Sequence, residues 1–193
     1  QNDDPSVASF VLASGNAGVE AATNETIKQA AGTMMWFVYG IVVFMCWITF
    51  NFSMGAVICV ITPLVLTSIL CEALMTVFGM GVKVGTLPVI ALGVGIGVDY
   101  GIYIYSKMQE YFAKGMTVQE AYLETLCVTG KAVSFTGISL ATGVGTWMFS
   151  EIKFQADMGI LLTFMFLWNM VGALWLLPAM ADLLIRVTRR PAK

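Results

Sequence analysis

Histidine is absent from this 193-residue chain. Its absence removes imidazole metal ligands, Ser–His and Cys–His nucleophile pairs and imidazole proton switches together, so any proton chemistry falls to carboxylates, lysine or tyrosine. Charge is scarce as well. Twelve acidic and ten basic side chains give a net charge of −2, and charged residues make up 11% of the chain, against about 25% in an ordinary soluble domain. That is too little to cover a water-facing surface. No basic cluster precedes the C-terminal tail, which excludes the electrostatic footprint of a nucleic-acid binder. The four cysteines, Cys46, Cys59, Cys71 and Cys127, are far apart and form no CxxC pair, so they read as small apolar fillers and indicate neither a disulfide framework nor a zinc site. No cofactor or metal site is expected.

What is present is apolar. Hydrophobic residues make up 58% of the sequence and the mean hydropathy is +0.82. They gather in five runs, at about 34–50, 54–78, 86–106, 132–150 and 158–184, each near the roughly 20 residues a helix needs to cross a hydrocarbon core. The expected fold is therefore an all-α membrane protein, a bundle of five transmembrane helices. The polar stretch 107–130 contains Thr117-Val118-Gln119-Glu120, a capping-box pattern. Val118, Ala121, Tyr122 and Thr125 or Leu126 then recur at helical spacing, which predicts an amphipathic helix lying along the cytoplasmic membrane surface.

Lysine and arginine in short loops set orientation. With the N-terminus outside, Lys107, Lys114, Lys131, Arg186, Arg189, Arg190 and Lys193 lie inside, and Lys28, Lys83 and Lys153 lie outside. Seven against three predicts an external N-terminus and a basic cytoplasmic tail at 185–193. Trp36, Trp47 and Trp147 fall near span ends, where indole rings prefer to sit; Trp168 and Trp175 are expected in the core. Residues 1–33 have no basic n-region or apolar h-region and are not a signal peptide. Their strand-like run 9–13, a Gly15-Asn16 turn and a helix-like stretch 17–31 read as the end of a larger extracytoplasmic domain and a lead-in helix, so the chain is expected to be one piece of a longer polypeptide.

The strongest local signal is Leu92-Gly93-Val94-Gly95-Ile96-Gly97-Val98-Asp99-Tyr100-Gly101. An acid in mid-span costs about 2.5–3.5 kcal/mol on insertion scales, so it is placed inside an assembly and usually for a reason. Two readings fit Asp99: a proton-carrying carboxylate, or a buried acid permanently hydrogen-bonded to a neighbouring helix; its depth in the span favours the first. Gly93, Gly97 and Gly101 form a close-packing ridge roughly half a turn away from it. The Gly-x-Gly-x-Gly spacing is no phosphate loop, because no strand precedes it. Tyr100 offers a phenol hydroxyl or simple packing. Ser139, Thr142 and Thr146 sit at helical spacing and could line a polar seam facing Asp99, or bond their own backbone. Glu72, one to two turns from the outer end of its span, could mark the mouth of a pathway. Pro63 and Pro178 are expected to bend their helices, and Asn169 is expected to hydrogen-bond between helices. No nucleophile or pair of catalytic carboxylates has convincing spacing, so no enzymatic site is expected.

The run Leu87-Pro88-Val89-Ile90-Ala91-Leu92-Gly93-Val94-Gly95-Ile96-Gly97-Val98-Asp99-Tyr100-Gly101, together with Gly130-Lys131-Ala132-Val133-Ser134-Phe135-Thr136-Gly137, resembles the resistance-nodulation-division (RND) superfamily. It is most similar to the MMPL-like and hopanoid-exporter-like bacterial branch. Leu12-Ala13-Ser14-Gly15-Asn16 resembles the end of that family's second periplasmic domain. The resemblance implies two parallel halves, of which this chain is the last five spans, in a bacterial inner membrane with a periplasmic N-terminus and a cytoplasmic C-terminus. It implies proton-driven export of a hydrophobic or lipid-like substrate, with Asp99 and Tyr100 as the relay pair and their partners in the missing N-terminal half, on the same or a separate polypeptide. The drug-efflux branch carries Lys at the equivalent span; this sequence does not, so that relay does not apply. Protons and membrane lipids are the other partners implied, and self-association into a homo-oligomer is left open. The alternative from another class is a non-transporting scaffold or lipid- and sterol-sensing bundle, for which Asn or Leu at position 99 would have argued.

Overall fold

A computed structural model describes residues 16–80 and 87–188 of the chain. The strand-like run 9–13, Lys83 and the end of the basic tail lie outside the described residues. Among the described residues seven α-helices follow one another: α1 (Asn16–Thr49), α2 (Met54–Val77), α3 (Leu87–Ala113), α4 (Val118–Thr125), α5 (Lys131–Gly145), α6 (Lys153–Val171) and α7 (Leu177–Thr188). A lipid environment explains this uniformity, because a helix satisfies every backbone group within its own segment. Five helical stretches are long and apolar enough to cross a membrane: Gly32–Thr49, Met54–Val77, Pro88–Ala113, Val118–Phe149 and Lys153–Ile185.

The lead-in stretch and the first span are one continuous helix, α1. It ends at a tight reversal in which Asn51 and Phe52 take positive φ angles of 53° and 66°. The Phe52 ring packs edge-on against Trp47, centroids 4.6 Å apart, and its amide donates back to the Trp47 carbonyl at 2.9 Å. A left-handed Phe is sterically costly, and these two contacts offset part of that cost. The α3 helix continues past its expected end at 106, because Lys107, Glu110 and Lys114 sit on one helical face and pair at 2.5 and 2.8 Å. It stops at Gly115, whose φ of +83° suits a residue without a Cβ.

The expected separate surface helix at 107–130 is corrected by the structure. Its first third belongs to α3. The capping box does form, with the Glu120 amide donating to Thr117 Oγ1 and the Thr117 amide donating to Glu120 at 2.9 Å. Beyond it, α4 runs through a π-helical turn (Leu126–Gly130) straight into α5 and a short 3-10 end (Thr146–Phe149). No proline or left-handed residue interrupts 118–149, so nothing stops the helix. Val118, Ala121, Tyr122 and Thr125 still face inward while Gln119, Glu120 and Glu124 face out.

The helices α3 and α6 form the centre, α2 packs against both, α1 leans on α2 and α3, and α5 lies along α6. The core is Val60, Leu64, Val94, Ile104, Leu161, Met165 and their neighbours, and Cys46, Cys59 and Cys71 are fully buried among them as apolar fillers. Trp168 and Trp175 are 44% and 75% exposed, which corrects their expected place in the core. An indole facing hydrocarbon needs no protein around it.

The last span is built around a break. Pro178 has no amide proton, so the Leu174 carbonyl four residues earlier loses its helical donor. A π-helical turn, Gly172–Leu176, absorbs the mismatch, and the Tyr122 hydroxyl donates to that carbonyl at 3.0 Å from 52 positions away. The turn sits against the other proline: a Cβ on Gly172 would lie 3.0 Å from Pro63. Tyr122→Phe should therefore lower stability by about 1 kcal/mol, the net worth of one hydrogen bond. Thermal unfolding in detergent checks it, and an unchanged midpoint would show that the carbonyl does not depend on Tyr122.

Candidate functional site

The α3 helix has two faces of opposite character. On one, Gly93, Gly97 and Gly101 let neighbouring helices approach their backbone. A Cβ at Gly93 would collide with Met165, at Gly97 with Asn169 and Leu64, and at Gly101 with Val60 at 2.8 Å. Thus α6 and α2 seat directly on the glycine ridge. Asn169 Nδ2 donates to the Gly93 carbonyl at 2.8 Å, the interhelical bond expected of it.

On the opposite face lie Leu92, Gly95, Asp99 and Tyr103, all exposed. A Cβ on Gly95 would meet nothing within 4 Å. Among the described residues Asp99 makes no hydrogen bond or salt bridge. The chain therefore presents a mid-span carboxylate, midway along a 27-residue helix, on an unpartnered stripe. Tyr100, one residue on, turns the other way: it is 2% exposed, and its hydroxyl has no partner among the described residues.

Ser139, Thr142 and Thr146 are not brought to Asp99. All three are exposed, Ser139 and Thr142 on α5 and Thr146 at the start of the 3-10 turn that follows it, away from the side where Gly137 meets Met170 of α6, and Thr146 donates to the Gly143 carbonyl at the end of α5. The reason is the order of packing: α5 lies on α6, which stands between it and the glycine face of α3. Glu72 is exposed near the end of α2, where its carbonyl accepts from Thr76 at 3.0 Å. One contact that sequence reasoning missed stands beside it. The Tyr39 and Ser68 hydroxyls are 2.6 Å apart and tie α1 to α2. Two polar side chains in otherwise apolar runs were the available signal, and only pairing them required the fold.

The fold and this stripe define a multi-pass helical membrane protein with an acid set into one span. The chain belongs to the MMPL family, which it matches over residues 6–193. It is similar to "Trehalose monomycolate exporter MmpL3" of Mycobacterium tuberculosis, with 33% identity over 33% of this chain and 7% of that protein. It is also similar to "Probable trehalose monomycolate exporter MmpL3" of Mycobacterium leprae, with 29% identity over 50% of this chain and 10% of that protein. A third relative is "Putative membrane protein MJ1562" of Methanocaldococcus jannaschii, with 26% identity over 61% of this chain and 30% of that protein. The chain thus matches a small part of the length of these relatives.

Proposed function

We propose that the chain is the C-terminal membrane half of a proton-motive-force-driven RND-type exporter of hydrophobic or lipid-like substrates. The observation that carries this reading is Asp99, a carboxylate in mid-span on a face of α3 that none of the described helices covers. A polar stripe in a membrane bundle calls for a cover, and the missing N-terminal half is the natural one. Asp99 then takes up and releases the proton, and Tyr100 is the neighbouring hydroxyl of the relay. The similarity to mycobacterial trehalose monomycolate exporters supports a lipid-like cargo. The protein would sit in a bacterial inner membrane with its N-terminus periplasmic and its C-terminus cytoplasmic.

The energetics suffice. One elementary charge crossing 100 mV releases about 2.3 kcal/mol, and about 1.4 kcal/mol already shifts a two-state equilibrium tenfold. The test is reconstitution of the complete protein in liposomes made from a total lipid extract of its source. An imposed pH gradient should drive both proton movement and removal of lipid from the proteoliposome membrane to an external acceptor. Neither movement occurring would favour a lipid-sensing or scaffold bundle.

A further inference from the structure

Three of the spans carry a weak turn, and the weak turns share one depth. In α2 the ring of Pro63 deprives the Cys59 carbonyl of its helical donor. In the run 118–149 the weak turn is the π-helical Leu126–Gly130. In the last span it is the π-helical Gly172–Leu176, where the Leu177 amide donates five residues back to the Gly172 carbonyl. Helices kink at prolines and at π-helical turns, because the regular backbone ladder is already interrupted there. Close contacts fix the relative depth of these turns. A Cβ on Gly172 would lie 3.0 Å from Pro63, and one on Gly130 would lie 3.7 Å from Leu174, so each weak turn touches the next. The glycine ridge of α3 carries the same register to Asp99: Gly97 faces Leu64 and Asn169, and Gly101 faces Val60 and Leu177. Pro63 falls between Val60 and Leu64, the turn Gly172–Leu176 falls between Asn169 and Leu177, and Asp99 falls between Gly97 and Gly101. The helix that carries Asp99 has no such break, for α3 is regular from 89 to 113.

We propose that this layer is the hinge of the bundle: α2, the run 118–149 and the last span bend there around an unbroken α3, and the protonation of Asp99 sets the bend. Glycine has no side chain to absorb a shift, so a displacement of the α3 backbone at 97–101 passes directly to α2 and α6 at their weak turns. The last span can change angle without breaking a backbone bond at Leu174, whose carbonyl accepts the Tyr122 hydroxyl instead of a helical amide. The hinge rests on these contacts alone; its coupling to Asp99 rests on the relay reading.

The test uses the complete protein in two arms. Cryo-electron microscopy in nanodiscs at acidic and at alkaline pH should give two structures that superpose on each side of the layer separately but not across it. The helix directions should change at 60–64, 126–130 and 172–176. Superposition of the whole bundle, or bends at other depths, overturns the hinge, and this arm needs no variant to fold. In the second arm Pro178→Ala restores an amide donor to the Leu174 carbonyl and so stiffens the last span. Its unfolding midpoint in detergent should hold or rise, while gradient-driven proton flux in proteoliposomes falls about tenfold, equivalent to about 1.4 kcal/mol on the bending step. A proline with a merely structural role would not give a firmer protein that works more slowly. Native flux in Pro178→Ala, or flux that falls only in step with the folded fraction, overturns the proposal. Native flux in Asp99→Asn overturns the relay reading and the coupling to Asp99 instead, and the Pro178→Ala flux then decides the hinge on its own.

Discussion

Asp99→Asn should reduce gradient-driven proton movement in proteoliposomes to the leak of protein-free vesicles while leaving the protein folded. The amide has the shape of the carboxyl group and cannot bind or release a proton in the working range. Protonation of Asp99 removes a charge and the desolvation penalty that goes with it, which is the free-energy change a two-state bundle would exploit. In the variant that change is gone. The fold should not notice, because Asp99 is exposed and gives up no hydrogen bond or salt bridge among the described residues. Substitutions of that kind stay within about 0.5 kcal/mol. Proton flux and thermal unfolding must therefore be measured on the same preparations. Flux equal to the native protein would mean that Asp99 is structural, and loss of flux in step with loss of folded protein would mean the same.

That separation between a silent and a chemical face of α3 was half visible in the amino-acid order. The apolar runs, the glycine ridge and its offset from Asp99 follow from composition and from 3.6 residues per turn, and the five membrane-crossing helices follow with them. Pairwise placement was not visible. Ser139, Thr142 and Thr146 have the right spacing for a seam, but spacing says only which residues share a face, and the packing of α5 on α6 turned that face elsewhere. The continuous run 118–149 was hidden for a related reason. A capping box marks a helix start strongly, whereas a helix that simply fails to stop leaves no mark, and Gly130 invited a break that the π-helical turn avoided. Tyr122 could have been foreseen in part, since Pro178 guarantees an orphaned carbonyl at Leu174. Which side chain would come back to satisfy it depended on a contact across 52 residues.

The glycine ridge gives the largest expected effect on stability. Gly97→Leu should destabilise the bundle by about 3 kcal/mol, the upper end for overpacked sites, and Gly97→Ala by about 1 kcal/mol. A Cβ at this position runs into the Asn169 carboxamide and into Leu64. Leu64 could shift slightly. The amide cannot do so without giving up its bond to the Gly93 carbonyl, so α3 and α6 must move apart and lose the contact between Gly93 and Met165 as well. Alanine gains about 1 kcal/mol of helix propensity over glycine in water, which offsets part of the collision and makes its net effect the smaller one. Gly143→Ala on α5 is the matched control, because a Cβ there meets nothing within 4 Å. It should keep the propensity gain and raise stability or leave it unchanged. Unfolding midpoints of the three variants in one detergent decide the matter: equal midpoints for Gly97→Ala and Gly143→Ala would show that α6 does not seat on the ridge.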